Sequence, residues 1–320
     1  SASAIALLAL GCGHAAAQAF PSKAGRIVVG FAPGGNTDLV ARITAQKLGE
    51  LWGQTVITDN RPGASGMIAG EIVAKAAPDG YTLLLTPQTS IAVAPALYGK
   101  APYDPAKDFA GVTEVATVPQ ALIVRPELPA NDVAGFVALA KVSPGKMNFS
   151  SAGLASTSYL GAELLKQTAK IDIVHVPNKG APEAVTSVIR NDSQLFFLGV
   201  NLAIELKQAG KIKVIAVSTP KRSPAMADVP TVAELGYPGY KAVTWNGLMA
   251  PAGTPKAIVD KLNGIIVKYL NLPETQQRFY VTGLEVATST PQGYTEIIRK
   301  DLDSWRKLIK EAKISVESLP

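Results

Sequence analysis

The chain has 320 residues, of which 47% are hydrophobic and 18% are charged, and its formal net charge is +6. This length exceeds that of most single hydrophobic cores, so we predict two folded domains. The basic residues are scattered without a lysine- or arginine-rich block, which argues against nucleic-acid binding. The mildly positive field favours anionic small molecules as ligands.

The first nineteen residues have the pattern of a secretory signal peptide. Ser1–Ala19 contains no charged side chain, and its apolar run Ala4–Leu10 is too short to span a bilayer. The run leads to Ala17-Gln18-Ala19, a small-x-small cleavage pattern. We therefore predict a signal peptide over residues 1–19, truncated at its start, and a periplasmic mature protein. A short N-terminal core helix or a lipidated Cys12 are the alternatives.

Cysteine and histidine are scarce, which limits the possible chemistry. The sequence holds one cysteine and two histidines, and cleavage after Ala19 would leave His175 alone. A Cys–His catalytic pair or a zinc site with several such ligands is then excluded. We expect no metal and no cofactor. A Ser–His–Asp triad would depend on His175, whose place in an alternating strand favours simple packing.

The stretch Arg26–Arg42 has the pattern of a strand, a glycine turn and a helix start. Ile27–Val29 form a continuous apolar run that is typical of a buried parallel strand. Pro33–Gly35 end the strand, and Asn36–Asp38 offer a helix cap. Free backbone N–H groups and the helix dipole make this turn a candidate anion site. The turn lacks the motifs of nucleotide-binding loops, so we do not expect it to bind a nucleotide phosphate. An ordinary strand–helix turn without a ligand is the alternative.

The following segments alternate between strand and helix patterns. Gln54–Asp59 and Tyr81–Thr86 predict strands, with a helix at Gly66–Ala77 between them. Connections this short imply a parallel sheet with right-handed crossovers. Ligands bind beyond the carboxyl ends of such strands, so we expect Phe31–Asp38 and Pro87–Ser90 on one rim.

A second unit of similar design follows a proline-rich linker at Arg125–Pro129. The strand Met147–Ser151 leads into a small-residue loop at Gly153–Ser158 and a helix from about Thr157 to Ala169. Further strand–helix patterns occupy residues 171–190 and 194–208, and another strand occupies 212–218. The C-terminal part predicts three helices, at 255–270, 274–282 and 291–310, the last one amphipathic.

Nine short motifs follow one another in a characteristic order along the chain. They stand at Phe31–Asp38, Asp59–Gly63, Ala77–Thr82, Pro95–Tyr98, Tyr103–Phe109, Ser151–Gly153, His175–Gly180, Pro230–Glu234 and Ala250–Pro255. In this order the chain resembles the periplasmic solute-binding receptors of the tripartite tricarboxylate transporter family, the Bug or TctC-like proteins. The resemblance implies an α/β, two-domain "Venus flytrap" fold, in which each domain is a mostly parallel sheet flanked by helices.

The linker at Arg125–Pro129 and a return crossing at Pro224–Pro230 predict that residues 20–124 and 225–320 form domain 1 and that residues 125–224 form domain 2. The resemblance implies that the ligand lies in the cleft between them. It implies a monomeric, non-enzymatic receptor for an organic carboxylate, either a di- or tricarboxylate or an aromatic acid. The receptor would deliver this ligand to the membrane permease subunits of the transporter. The alternatives are a secreted hydrolase or transferase that uses a serine of the 151–158 loop, and the ligand module of a sensory system.

The ligand loops of the family correspond here to residues 31–38 and 151–159. In the family these loops bring backbone N–H groups, hydroxyls and ordered waters onto a carboxylate. The residues expected to bind the ligand are Phe31, Ala32, Pro33, Gly34, Gly35, Asn36, Thr37, Asp38, Gln88, Ser90, Ser151, Ala152, Gly153, Ser156, Thr157, Ser158, Tyr159, Asn201 and Trp245.

This sequence departs from the family pattern at three places. Leu154 and Tyr159 replace a usual asparagine and histidine, and no aspartate follows the apolar strand near Gly199. An ammonium group would lack one expected carboxylate partner, which disfavours amino-acid ligands, although Asp38 remains available. Leu154, Tyr159 and Trp245 predict an apolar wall suited to an aromatic or longer aliphatic acid, while core packing explains Trp245 equally well.

Overall fold

The computed structural model describes residues 20–153, 156–178 and 180–311. The predicted signal peptide, Leu154 and Lys179 lie outside these ranges. Among the described residues, no helix has both the length and the apolarity that crossing a lipid bilayer requires. Within the same ranges, no group of three or more His, Cys, Asp or Glu side chains is placed to hold a metal ion.

The first lobe begins with the predicted alternation of strands and helices. Its elements are β1 (Gly25–Val29), α1 (Asn36–Trp52), β2 (Val56–Asn60), α2 (Met67–Ala74), β3 (Thr82–Pro87), α3 (Ala94–Tyr98) and β4 (Phe109–Val118). β1 lies between β2 and β3 and is parallel to both, as the short connections predicted. Ile27, Val28 and Val29 of β1 are fully buried, because helices cover both faces of this sheet.

The second lobe follows after a single residue, Pro119. Its elements are β5 (Gln120–Val124), α4 (Val133–Val142), β6 (Met147–Ser151), α5 (Thr157–Ala169), β7 (Ile173–Pro177), α6 (Ala181–Ile189), β8 (Phe196–Gly199), α7 (Val200–Gln208) and β9 (Lys213–Val217). β6 is parallel to β7, and β5 runs antiparallel between β8 and β9. A bridge from Phe149 to Leu195 joins β6 to the segment that leads into β8.

The chain then returns to the first lobe. This part contains β10 (Thr244–Pro251), α8 (Lys256–Leu270), α9 (Pro273–Tyr280), β11 (Glu285–Val286) and α10 (Pro291–Glu311). β10 inserts between β3 and β4 and is antiparallel to both, and β11 extends the sheet beyond β4. The order of the first sheet is therefore β11-β4-β10-β3-β1-β2.

The six-stranded sheet of the first lobe is mixed, and in the second lobe β8-β5-β9 is antiparallel while β6-β7 is parallel, whereas the sequence predicted mostly parallel sheets. The difference comes mainly from two strands: β5, with which the chain enters the second lobe, and β10, with which it returns to the first. β3 and β8 end at the cleft between the lobes, whereas β5 and β10 begin there, because the chain crosses from one lobe to the other at that point. A strand that starts where its neighbours end must run antiparallel to them.

The chain crosses between the lobes at positions that differ from the predicted boundaries. Residues 120–124 form β5 in the second sheet, so the first crossing is at Pro119 and not after Val124. Val229, Val232 and Ala242 are buried in the cores of the second lobe, so the return crossing lies near residue 243 and not at 225. The end of α10 also reaches the second lobe, where Leu308 is buried in its core.

Candidate functional site

A cavity of about 470 Å³ lies where the carboxyl ends of the strands of both lobes face each other. This volume is typical of small-molecule sites. The lining residues from the first lobe are Phe31, Asn36, Thr37, Ser65, Pro87, Thr89, Val118, Thr244 and Asn246; those from the second are Gln120, Ala152, Gly153, Ser156, Thr157, Ser158, Ala181, Phe196, Phe197, Leu198 and Gly199. None of these described lining residues has an ionisable side chain.

The first rim of the cavity is the start of α1, a helix of 17 residues. Its N-cap is Gly35, and no side chain caps the helix. The first helical hydrogen bond runs from the N–H of Leu39 to the carbonyl of Gly35. The preceding N–H groups, including those of Asn36 and Thr37, have no carbonyl within the helix to bind. The positive end of the helix dipole is therefore directed at the cavity.

Asp38 holds this rim in place from behind. It is 2% exposed, and it accepts hydrogen bonds from the N–H of Gly34 (2.9 Å), Arg42 Nε (2.8 Å) and Asn60 Nδ2 (2.9 Å). Burial acts to raise the pKa of Asp38, but these hydrogen bonds outweigh it and lower the pKa below its ordinary value. Asn60 also donates to the carbonyl of Phe31 (2.9 Å). Asp38 therefore shapes the loop and does not line the cavity, contrary to its predicted ligand role.

The second rim is the loop before α5. Ser156 caps this helix, and its Oγ accepts a hydrogen bond from the N–H of Tyr159 (3.3 Å). It also donates to the carbonyl of Gly153, while Ser158 Oγ accepts from the N–H of Ala152 (3.0 Å). Both hydroxyls thus hold the loop together, leaving the backbone N–H groups at the helix start as donors for a ligand. Thr157 Oγ1 is hydrogen-bonded to Thr244 Oγ1 on the opposite lobe.

Two further helices begin at the same cavity. The N-cap residues of α6 and α7 are Gly180 and Gly199, and neither helix has a side-chain cap. Ala181 at the start of α6 and Gly199 both line the cavity. The N–H of Val200 in α7 donates to the carbonyl of Pro119 (3.2 Å), so α7 contributes mainly through its dipole. Four helix N-termini, from α1, α5, α6 and α7, therefore surround one cavity.

His175 supports the second rim from the core of the lobe. Its Nε2 lies 2.7 Å from Ser151 Oγ, which also accepts a hydrogen bond from the N–H of Gly153 (3.2 Å). The rings of Phe149 and Tyr159 lie against the imidazole, with centroids at 5.0 and 4.6 Å. Burial, with a smaller contribution from the charge of Lys166, lowers the pKa of His175 to about 4. The imidazole is therefore neutral at neutral pH.

These contacts weaken the hydrolase alternative. The hydroxyl that His175 contacts belongs to Ser151, which is fully buried, and not to the cavity-lining Ser156 or Ser158. A nucleophilic serine needs both an adjacent base and access to a substrate. Of the serines in the 151–158 loop, Ser151 has the base but no access, and the lining Ser156 and Ser158 do not contact His175.

Folding stability should fall in mild acid because of His175. Its pKa is about 4 in the folded protein and about 6.5 when unfolded, so the unfolded chain binds the extra proton between these values. We expect the free energy of unfolding to decrease by roughly 2 kcal/mol as pH falls from 6.5 to 4, after allowance for partial solvent screening. Urea titrations across this range measure it. A His175→Gln variant should show a shallower loss, and an equal loss in both proteins would contradict the assignment.

The comparisons with known proteins agree with this architecture. Residues 40–314 match the family described as "Tripartite tricarboxylate transporter family receptor". The chain belongs to this receptor family. Among curated proteins, BugT of Bordetella pertussis (strain Tohama I) is 32% identical to this receptor over 296 residues, which are 92% of this chain and 91% of BugT.

Solved structures of related receptors have the same fold as this chain. R. palustris Rpa4515, determined with adipate, is 34% identical with a TM-score of 0.77, covering 92% of this chain and 99% of its own. MatC (Rpa3494) from Rhodopseudomonas palustris, with bound malate, is 31% identical with a TM-score of 0.72, covering 91% and 100%. These likenesses confirm the predicted family and the two-domain periplasmic-binding-protein fold.

The receptor brings part of the predicted site together at its cavity. Eight predicted residues line it: Phe31, Asn36, Thr37, Ala152, Gly153, Ser156, Thr157 and Ser158. Ala32, Pro33, Gly34 and Gly35 form the exposed turn before α1 and do not line the cavity. Asn201 lies outside the lining, at the start of α7. It packs closely against Gly283, since a Cβ added to Gly283 would lie 2.3 Å from the Cβ of Asn201.

Other predicted residues are buried behind the cavity. Trp245 is buried in the core of the first lobe, and its Nε1 donates to Asp301 Oδ2 (2.6 Å), which also accepts from Gln88 Nε2 (2.5 Å). Ser90 is buried behind Gly66. Tyr159 and Ser151 are buried around His175. Tyr159 and Trp245 therefore do not form the predicted apolar wall of the cavity. The third residue of that wall, Leu154, lies outside the described residues.

The apolar part of the receptor cavity combines predicted residues with residues that the sequence did not single out. Phe31 and Pro87 belong to segments predicted on the rim, whereas Val118, Ala181, Phe196, Phe197 and Leu198 were not predicted to line a site. The polar lining residues that sequence reasoning missed are Ser65, Gln120, Thr244 and Asn246, while Thr89 lies in the predicted rim segment Pro87–Ser90. Gln120, Thr244 and Asn246 belong to the crossing strands, and only recognition of the crossings at Pro119 and residue 243 would have indicated them.

Proposed function

We propose that this receptor captures an organic carboxylate in the periplasm, without catalysis or a cofactor, and delivers it to the permease subunits of a tripartite tricarboxylate transporter. The ligand class is a di- or tricarboxylate or an aromatic acid. One observation carries the proposal. Four helix N-termini surround a cavity in which none of the described lining residues has an ionisable side chain.

Such a cavity favours anions over cations on electrostatic grounds. Free N–H groups and aligned helix dipoles stabilise a carboxylate without a lysine or arginine. A charge-assisted hydrogen bond contributes about 1.5–3 kcal/mol and a helix dipole about 0.3–2 kcal/mol. After the costs of ordering and closure, several of these terms are compatible with the ~8 kcal/mol of micromolar binding. A buried ammonium group would find no carboxylate among the described lining residues, so amino acids are disfavoured.

The ligands in related receptors support the same class. Adipate and malate, found with the two R. palustris proteins, each carry two carboxylates. A dicarboxylate suits a cavity whose rims come from both lobes, because one carboxylate meets α1 and the other meets α5. Ligand contacts with both rims stabilise the closed arrangement of the lobes. We infer that the strands crossing at Pro119 and residue 243 act as the hinge and that the receptor works as a monomer.

A thermal-shift screen tests this function. We expect small di- and tricarboxylates or aromatic acids to raise the unfolding temperature, because they bind only the folded protein. Native mass spectrometry should show one molecule of the same acid for each chain. Matched primary amines and neutral sugars are the controls. Stabilisation by amines or sugars, with none by acids, would contradict the proposal.

A further inference from the structure

The side-chain amide of Asn246 lines the cavity and lacks a protein partner. Asn246 is 1% exposed, and its Oδ1 is buried without a hydrogen-bond donor. Buried polar side chains almost always have partners, because an unsatisfied carbonyl oxygen is unfavourable. Because Asn246 lines the cavity, rotation about its Cβ–Cγ bond brings Oδ1 toward the cavity, where a ligand can supply the missing partner.

The position of Asn246 is fixed by its strand. The backbone of Asn246 pairs with Pro87 of β3 and Ala116 of β4, so the residue is held in the middle of the first sheet. Alternation along β10 directs Thr244 and Asn246 to the cavity, while Trp245 is buried on the other side. The pairing with β4 shifts its register directly after Asn246, and such irregularities often set the direction of a side chain beside a binding site.

The chemistry of the amide differs from that of the rest of the cavity. The helix starts offer N–H donors, which a carboxylate satisfies, but a carboxylate has no proton to donate to Oδ1. The Asn246 amide carries a donor and an acceptor side by side, and rotation about its Cβ–Cγ bond presents either one to a ligand. A hydroxyl next to a carboxylate complements both groups, since the hydroxyl donates and the carboxylate accepts.

We propose that Asn246 makes this receptor selective for hydroxycarboxylates over the corresponding acids without the hydroxyl. This inference rests on the proposed carboxylate-binding function and narrows its ligand class. A site that hydrogen-bonds a ligand hydroxyl discriminates against the analogue lacking it, because the buried group of the protein then loses its partner.

The test uses acids that differ by one hydroxyl: malate and succinate, citrate and tricarballylate, mandelate and phenylacetate. Calorimetric titration gives the affinity of the wild type, of Asn246→Leu and of a control, Asn271→Leu. Asn271 is the exposed C-cap residue after α8, and its Nδ2 donates to the carbonyl of Val267 in that helix (2.9 Å). In the wild type and the control, we expect at least one hydroxy acid to bind about ten-fold tighter than its partner. In Asn246→Leu, the two affinities should become equal.

Three other outcomes of these titrations would overturn the inference. Equal affinities within every pair in the wild type, as a water retained by Asn246 would give, overturn this inference whether or not the variant folds. A hydroxyl preference that survives in Asn246→Leu overturns it too, because another residue then recognises the hydroxyl. Binding of none of the six acids overturns the inference, and if no acid of the thermal-shift screen binds either, the proposed function is overturned with it.

Discussion

Replacing Ser156 by aspartate should weaken carboxylate binding by at least about 100-fold, whereas Ser156→Asn should keep the affinity within about ten-fold of the wild type. Serine, asparagine and aspartate all cap helices well, so the start of α5 remains formed in both variants. The two replacements have nearly the same shape and differ in one negative charge. Two like charges ~5 Å apart repel by about 3 kcal/mol at the effective dielectric of a partly buried site.

Calorimetry with the tightest acid from the screen measures this difference. Circular dichroism and the unfolding temperature verify that both variants remain folded. If Ser156→Asp binds the acid as tightly as Ser156→Asn, the carboxylate does not lie over the start of α5. The site would then have to be elsewhere.

Removing the carboxylate of Asp38 should destabilise the protein by about 3 kcal/mol. Asp38→Ala leaves three donors without their acceptor, namely the N–H of Gly34, Arg42 Nε and Asn60 Nδ2. The group is almost fully buried, so water does not readily replace the lost contacts. Urea unfolding at neutral pH measures the change. Because its pKa is lowered on folding, this carboxylate stabilises the protein above its ordinary pKa of 3.8, and the stabilisation is lost as pH falls further.

A matched control is Asp228→Ala. Asp228 forms an ion pair with Lys207 (3.0 Å) but has a side chain that is 73% exposed. An exposed pair contributes less than about 1 kcal/mol, so this variant should unfold nearly like the wild type. If Asp38→Ala were no more destabilising than Asp228→Ala, Asp38 would not be the residue that holds the first rim.

The sequence predicted those parts of the site that are built from neighbouring residues. The apolar run of β1, the glycine turn and the start of α1 lie within one short stretch, as do β6, its loop and α5. Strand, turn and cap signals act over a few residues, so both rims could be located before the structure was available. The local pattern predicted an anion site at the first rim, and the family resemblance narrowed the predicted anion to a carboxylate.

What the sequence could not predict depends on contacts between distant segments. β5 and β10 are apolar runs like the parallel strands, and nothing local indicates that they start at the cleft and run antiparallel to their neighbours. Alternation along β10 predicts two faces but not which one lines the cavity, so the sequence indicates Trp245 and not Asn246. The sequence indicates Asp38 as a ligand residue because it does not show that Arg42 and Asn60 surround the carboxylate.

The negative charge of an organic acid is the property that we propose the cavity recognises. Calorimetric titration with the tightest acid and with its methyl ester tests this most directly, because the two molecules share their shape and differ mainly in the charge that the helix starts stabilise. We predict saturable one-to-one binding of the acid and a loss of affinity of at least about 100-fold for the ester. An ester that binds as tightly as the acid would contradict this account of the site.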